Sequence, residues 1–169
     1  VRAHVAAQAV DIQLLIGSEF RLQEGTRFIL IAKNRSGYGY IANLISTARR
    51  RAPKGDYYLS YKDFVETESN CIAVWLPNAE ALQEIQTKEI AWLKNYFENQ
   101  VWIGVTQLLI NHESRQTHIL EQLSQITMTP LVAIGSAHMH ISTRRMLRDT
   151  IHAIRLKKTI KNSGFDLPP

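Results

Sequence analysis

One cysteine, Cys71, stands in a chain of 169 residues. That scarcity excludes an internal disulfide framework and leaves a reducing compartment as the default. No apolar run approaches the ~18 residues that a membrane-spanning helix needs, and no basic, apolar, small-residue leader opens the sequence. A cytoplasmic protein with no membrane partner is therefore expected. No Gly-x-Gly-x-x-Gly, no Gly-Lys-Ser/Thr phosphate loop and no Gly-x-Ser-x-Gly elbow is present. Gly37-Tyr38-Gly39 has two glycines but precedes a helical pattern in the wrong register for a dinucleotide fingerprint. There is no internal repeat, low-complexity tract or interdomain linker. The residues 1–169 read as one domain.

What is present is ordinary in amount and uneven in place. The chain is 45% hydrophobic and 21% charged, the average of soluble globular proteins. Its net charge of +5, from 20 basic and 15 acidic residues, is concentrated in two clusters. One is Arg49-Arg50-Arg51 with Lys54. The other runs through Arg144, Arg145, Arg148, Arg155, Lys157, Lys158 and Lys161, opposed within that stretch only by Asp149. Such a surface is the footprint of polyanion binding, or a solvated face that keeps a domain soluble.

Short apolar runs alternate with longer amphipathic segments. Strands are expected at 12–16, 28–32, 72–76, 101–105 and 131–134, continuous in character, as strands buried on both faces are. Helical spacing joins Ile41, Leu44, Ile45 and Ala48, then Leu82, Ile85, Leu93 and Phe97, then Ile119, Leu123 and Ile126, and finally Leu147, Ile151 and Ile154. Ser142 and Thr143 are candidate N-caps of the last helix, and Gly164 allows a reversal beyond it. Residues 52–61, with Pro53 and Gly55, read as a surface loop. The alternation indicates an α/β domain with a mainly parallel sheet.

In such folds functional groups gather on loops at the carboxyl ends of strands. That rule points to Gly17-Ser18-Glu19, Lys33-Asn34, Pro77-Asn78, Thr106-Gln107 and the stretch Gly135-Ser136-Ala137-His138-Met139-His140. One carboxylate and two histidines can begin a metal site, but the other positions offer only poor ligands, and polar loop residues bonding locally are the simpler reading. Cys71 opens an apolar run and reads as a buried small hydrophobe. His4, His112, His118 and His152 have no ligand-like partner and are assigned no role.

Several stretches, taken in order, resemble one family. They are Ile16-Gly17-Ser18-Glu19-Phe20-Arg21-Leu22, Leu30-Ile31-Ala32-Lys33-Asn34 with Gly37-Tyr38, Arg49-Arg50-Arg51-Ala52-Pro53-Lys54-Gly55, Pro130-Leu131-Val132-Ala133, His138-Met139-His140, and Leu147-Arg148-Asp149-Thr150-Ile151 with Ala153-Ile154-Arg155-Leu156. Together they are similar to the PHP (polymerase-and-histidinol-phosphatase) domain of the bacterial C-family DNA polymerases. The triple arginine and the Met-His after His138 resemble the error-prone branch rather than the replicative alpha subunit.

The resemblance implies a distorted (β/α)7 barrel, here without its opening strands, and both ends of the chain look like cuts in a longer protein. In active members nine His, Asp, Glu and Cys residues hold up to three metals and hydrolyse phosphoesters. Glu19 matches one of those ligands and His138 matches another. Arg27 and Ser136 stand where a histidine and an aspartate are expected, and the ligand expected after the third strand is lost near Leu76 and Pro77. Two remnants cannot hold the cluster, so no cofactor is expected in this region. The Mg²⁺ of nucleotidyl transfer belongs to a domain outside it. The implied role is structural, within an error-prone DNA polymerase of translesion synthesis and repair, in the bacterial cytoplasm. Its implied partners are the remaining polymerase domains, DNA through them, and further copies of itself through an unpaired strand edge.

Two rivals remain: a residual metal-dependent phosphoesterase or 3′–5′ exonuclease, and a separate basic nucleic-acid-binding module. Arg144, Arg148 and Arg155, with His152, share one helical face. That face can lie near DNA phosphates or pair with acidic residues of a neighbouring domain, and the second is expected.

Overall fold

The computed structural model describes residues 2–64, 69–78, 81, 83–98, 100–106, 113–135 and 137–167. They fall into two compact units, one of residues 1–105 with 114–133, the other of residues 106–113 with 134–169.

The first unit opens with helix α1 (Arg2–Ala9) and is built on a five-stranded sheet in sequential order: β1 (Gly17–Arg21), β2 (Arg27–Ala32), β3 (Cys71–Trp75), β4 (Val101–Val105) and β5 (Leu131–Ala133). Four of the five strands lie where the apolar runs put them. The first does not. Residues 12–16 are exposed, and the strand begins at Gly17. The cause is the length of its partner: Arg21 pairs with Arg27 and Gly17 with Ile31, and after Ala32 the chain turns into a helix. Residues 12–16 therefore lie beyond the ladder, except that Ile16 accepts from the Ala32 amide at 2.8 Å. Gly17-Ser18-Glu19 consequently belongs to a strand and not to a loop after one.

The sheet is mixed rather than mainly parallel. β1 and β2 run antiparallel, as do β2 and β3, whereas β3, β4 and β5 are parallel. Between β1 and β2 only residues 22–26 intervene, closed by Leu22 donating to Thr26 at 2.9 Å with Gly25 at φ +103. That is a hairpin, far shorter than the dozen residues a parallel crossover needs. The β2–β3 connection contains helix α2 (Arg35–Arg50), but the chain then runs back beside it, with Tyr58 donating to Ala48 and Gln23 to Leu59. Two traversals reverse the direction, so β3 enters antiparallel. Single traversals by α3 (Gln83–Phe97) and α4 (Glu113–Thr127) return the chain parallel.

Register puts Phe20, Phe28, Trp75 and Ile103 in one row and Leu30, Ala73 and Val101 in the next. These side chains are buried in one cluster with Ile41, Leu44 and Ala48 of α2, Ile90, Leu93 and Phe97 of α3, and Leu123 of α4. β2 alternates, since Ile29 and Ile31 on its other face are only half-buried, so it is not the doubly covered strand that its composition suggested. On α3 the buried stripe is Gln86, Ile90, Leu93 and Phe97; Ile85 is exposed, and Leu82 lies outside the described residues. Ile45, Ile119 and Ile126 are likewise exposed. Gln86 is buried because its amide donates to the Asn78 carbonyl at 2.9 Å.

The aromatic residues of the 52–64 stretch complete this core. Phe28 lies 5.8 Å from Phe64 and 6.0 Å from Trp92 by ring centroid. Under them Glu89 accepts from the Trp75 indole and from Thr26, each at 2.9 Å, and Thr26 also bonds Tyr61. Asp63 accepts from Arg51 and from the Ser60 amide. Burial raises the Asp63 carboxyl, but those donors outweigh it and hold the group below its ordinary range.

The second unit holds residues 134–141, a 3-10 turn at Ser142–Arg144, α5 (Arg145–Leu156) and the short α6 (Ile160–Ser163). Neither Ser142 nor Thr143 caps α5: the 3-10 turn leads straight into the helix, and no side-chain cap bond forms there. The helix stops at Lys157, and Gly164 lies beyond it. Lys157 takes the left-handed conformation (φ 56), with its amide on Ile154 O and that of Lys158 on Ala153 O, each at 3.0 Å. Leu147, Ile151 and Ile154, the apolar stripe expected to be buried, are 50%, 54% and 69% exposed. No helix among the described residues is long and apolar enough to cross a membrane.

Candidate functional site

Glu19 sits on β1, two residues along from the position opposite Arg27 on β2. The diagonal across a hairpin brings their side chains together, and Arg27 donates from Nε at 3.2 Å and from Nη2 at 2.7 Å, both to Glu19 Oε1. The pair is half-exposed, 48% for Arg27 and 51% for Glu19, so its contribution to stability is small, ~0–1 kcal/mol. Its electrostatic meaning is larger. A fixed guanidinium beside a carboxylate opposes any divalent cation at that oxygen. The sequence showed an arginine where a ligand was expected. It did not show that the arginine would engage Glu19 directly.

Glu19 and His138 belong to different compact units. Ser136 and Gln107 lie outside the described residues, as does His112. Among the described residues no three His, Cys, Asp or Glu side chains gather as a metal site would require. The other strand-end groups act locally. Asn34 caps α2 by accepting from Gly37 at 3.0 Å, and Asn78 receives Gln86. Gly37-Tyr38-Gly39 lies inside the first turns of α2 rather than before it. Cys71 is buried, with its thiol toward the carbonyls of Ser69 and Gly37; burial pushes it up to about 11. It stays a protonated thiol at neutral pH and is not a nucleophile.

The two basic clusters have different fates. Arg49 reaches the carbonyls of Gly55 and Asp56 at 3.1 Å and lies 5.4 Å over the Tyr57 ring. Arg51 pairs with Asp63, and Arg50 donates to Ser46 O. Arg49 and Arg51 thus pin the loop to α2, whereas Arg50 is exposed and, among the described residues, bonds only within the helix.

The second cluster forms a concavity. Arg144 of the 3-10 turn and Arg148, His152 and Arg155 of α5 line, with His138, Met139 and His140, a groove of about 400 Å³, with Leu147 and Ile151 along its wall. Arg148 is held by Asp149, to whose Oδ1 it donates at 2.9 and 2.7 Å. Arg145 lies 3.7 Å from the same carboxylate. Arg144 and Arg155 are exposed and have no acidic partner among the described residues. His152, given no role from sequence, and His140 thus join the three arginines. The i, i+4, i+8, i+11 spacing was the signal for the helical side of the groove. No local signal placed the 138–140 loop opposite it.

Among the described residues these features define an α/β region with a basic, histidine-rich groove and a strand carboxylate, Glu19, paired with an arginine. No protein-family model matches the chain. Along its whole length it is 40% identical to the error-prone DNA polymerase of Methylococcus capsulatus, 36% to that of Pseudomonas fluorescens and 34% to that of Dechloromonas aromatica. The chain spans only 16–17% of the length of these relatives. It is therefore similar to one region of proteins about six times as long.

Proposed function

We infer that the chain is the PHP-like region of an error-prone DNA-directed DNA polymerase, and that it serves that enzyme structurally without chemistry of its own. The observation that carries the second half is the Glu19–Arg27 pair, which neutralises a carboxylate the resemblance makes a metal ligand. The first half rests on the names of the relatives. In this reading the distorted barrel takes more strands than the five described here. Mg²⁺ acts in a domain outside this region, and DNA is reached through the parent enzyme in the bacterial cytoplasm. Exposed apolar side chains support a role in packing: Val10, Ile12 and Leu15 are 62–65% exposed, Met146 76% and Ile154 69%. Surfaces of this kind are buried by partners or by other domains.

Elemental analysis of protein purified with Mn²⁺ and Zn²⁺ tests the loss of chemistry. No stoichiometric metal is expected, and freeing the Glu19 carboxylate with Arg27→Ala alone should not create a site. One or more tightly held ions per chain, lost on Glu19→Ala, would reject the degenerate-site reading in favour of the phosphoesterase.

The sheet edges give a second expectation. Among the described residues β1 pairs only with β2 and β5 only with β4, and open edges recruit other strands. The isolated chain should self-associate with rising concentration in sedimentation experiments. A folded monomer that persists at high concentration would mean that these edges are covered within the chain.

A further inference from the structure

The groove of the second unit combines features that the structural reading does not use. Its concave wall carries three guanidinium groups and three imidazoles, and no carboxylate lines it. Asp149, the acidic residue nearest the arginines, is engaged by Arg148 and Arg145, and Asp166 by Lys158 at 2.6 Å. Positive charge is thus left uncompensated at Arg144 and Arg155, on opposite ends of the groove. A solvated face that only confers solubility gains nothing from facing a loop of two further histidines. The volume, about 400 Å³, exceeds what a lone oxyanion fills and lies in the range of small-ligand sites, ~300–1,000 Å³. Met139, Leu147 and Ile151 give that space an apolar side.

We propose that this groove binds a nucleotide through its phosphate, with Arg144 and Arg155 as the principal charge partners, His140 and His152 as hydrogen-bond donors, and Leu147 and Ile151 against the sugar or base. Arg148, already tied to Asp149, shapes the floor of the site. Guanidinium groups suit phosphate oxygens because their N–H groups fork to two acceptors at once. The phosphate belongs either to a free nucleotide or to a nucleic-acid strand, since both present the same oxygens. The inference stands on the second unit alone and does not depend on the polymerase reading.

The test uses the whole 169-residue chain and a fluorescent 12-nucleotide thymidine strand, followed by anisotropy at two salt concentrations. Binding to the strand should weaken with salt at a log–log slope of about −0.7 per phosphate engaged. The double change Arg144→Ala with Arg155→Ala should weaken binding at least about tenfold and remove about two phosphates from that slope. Both residues are exposed, so circular dichroism should show an unchanged fold. Displacement by thymidine monophosphate assigns the site to a single nucleotide. Its failure to displace a strand that still depends on Arg144 and Arg155 assigns it to a strand phosphate. Either result supports the proposal. It is overturned if neither probe binds, or if Arg50→Ala with Lys62→Ala, outside the groove, weakens binding as much as the groove change does.

Discussion

Replacing Phe28 by alanine should lower the unfolding free energy by about 3–5 kcal/mol. The ring is fully buried on β2, with centroids of Phe20, Phe64, Trp92 and Phe97 between 5.8 and 6.3 Å away. Its neighbours come from β1, the 52–64 stretch and α3, and none can collapse into the space without leaving its own packing. With a urea m-value of about 1–3 kcal/mol/M, the midpoint should fall by at least about 1 M. Phe28→Leu keeps most of the volume and should lose clearly less. A midpoint unmoved by Phe28→Ala would show that the loop and α3 do not pack on β2 as described.

Gly37 is the second sensitive point, for a reason of contact rather than of backbone conformation. A β-carbon there would overlap the Asn70 carbonyl oxygen and approach Asn70 C at 3.1 Å and Ala32 Cα at 3.3 Å. All are backbone atoms that cannot swing aside. Asn70 O is moreover held by the Lys33 amide at 3.0 Å, which fixes the start of β3 against the end of β2. Gly37→Ala should therefore destabilise by about 1–3 kcal/mol or more. Gly39 in the same helix has nothing within 4 Å of its would-be β-carbon. There alanine should stabilise by about 0.5–1 kcal/mol, through helix propensity alone. Opposite signs two residues apart, read from paired urea curves, are the expected outcome. Destabilisation at neither position would mean that α2 does not approach Asn70.

Four of the strands and most of the buried face of α2 were legible because their signals are local. An apolar run such as 101–105 needs no partner to be recognised, and Ile41, Leu44 and Ala48 repeat at the helical period. Strand direction was not legible in the same way. Gln23-Glu24-Gly25 marked a hairpin only when read as a connection too short to cross over, and the antiparallel entry of β3 depended on the return path of residues 52–64. For α3 the burial of a polar residue, Gln86, shifted the face away from Ile85. The hydrogen bond to Asn78 that permits it is a property of the folded chain.

For the candidate sites the division is similar. Sequence by itself determined the inventory: a carboxylate at Glu19, an arginine at position 27, and a helix with arginines on one face. Those facts are composition and period, and they survive any arrangement of the chain. Only the tertiary structure decided that Arg27 reaches Glu19 across the hairpin diagonal, and that Arg49 and Arg51 of the first basic cluster hold their own loop. It alone brought His138, Met139 and His140 opposite Arg144 and Arg155. Such pairings join residues on different segments of the chain or diagonal across strands. Their geometry is set by register and packing, which no local stretch of sequence encodes.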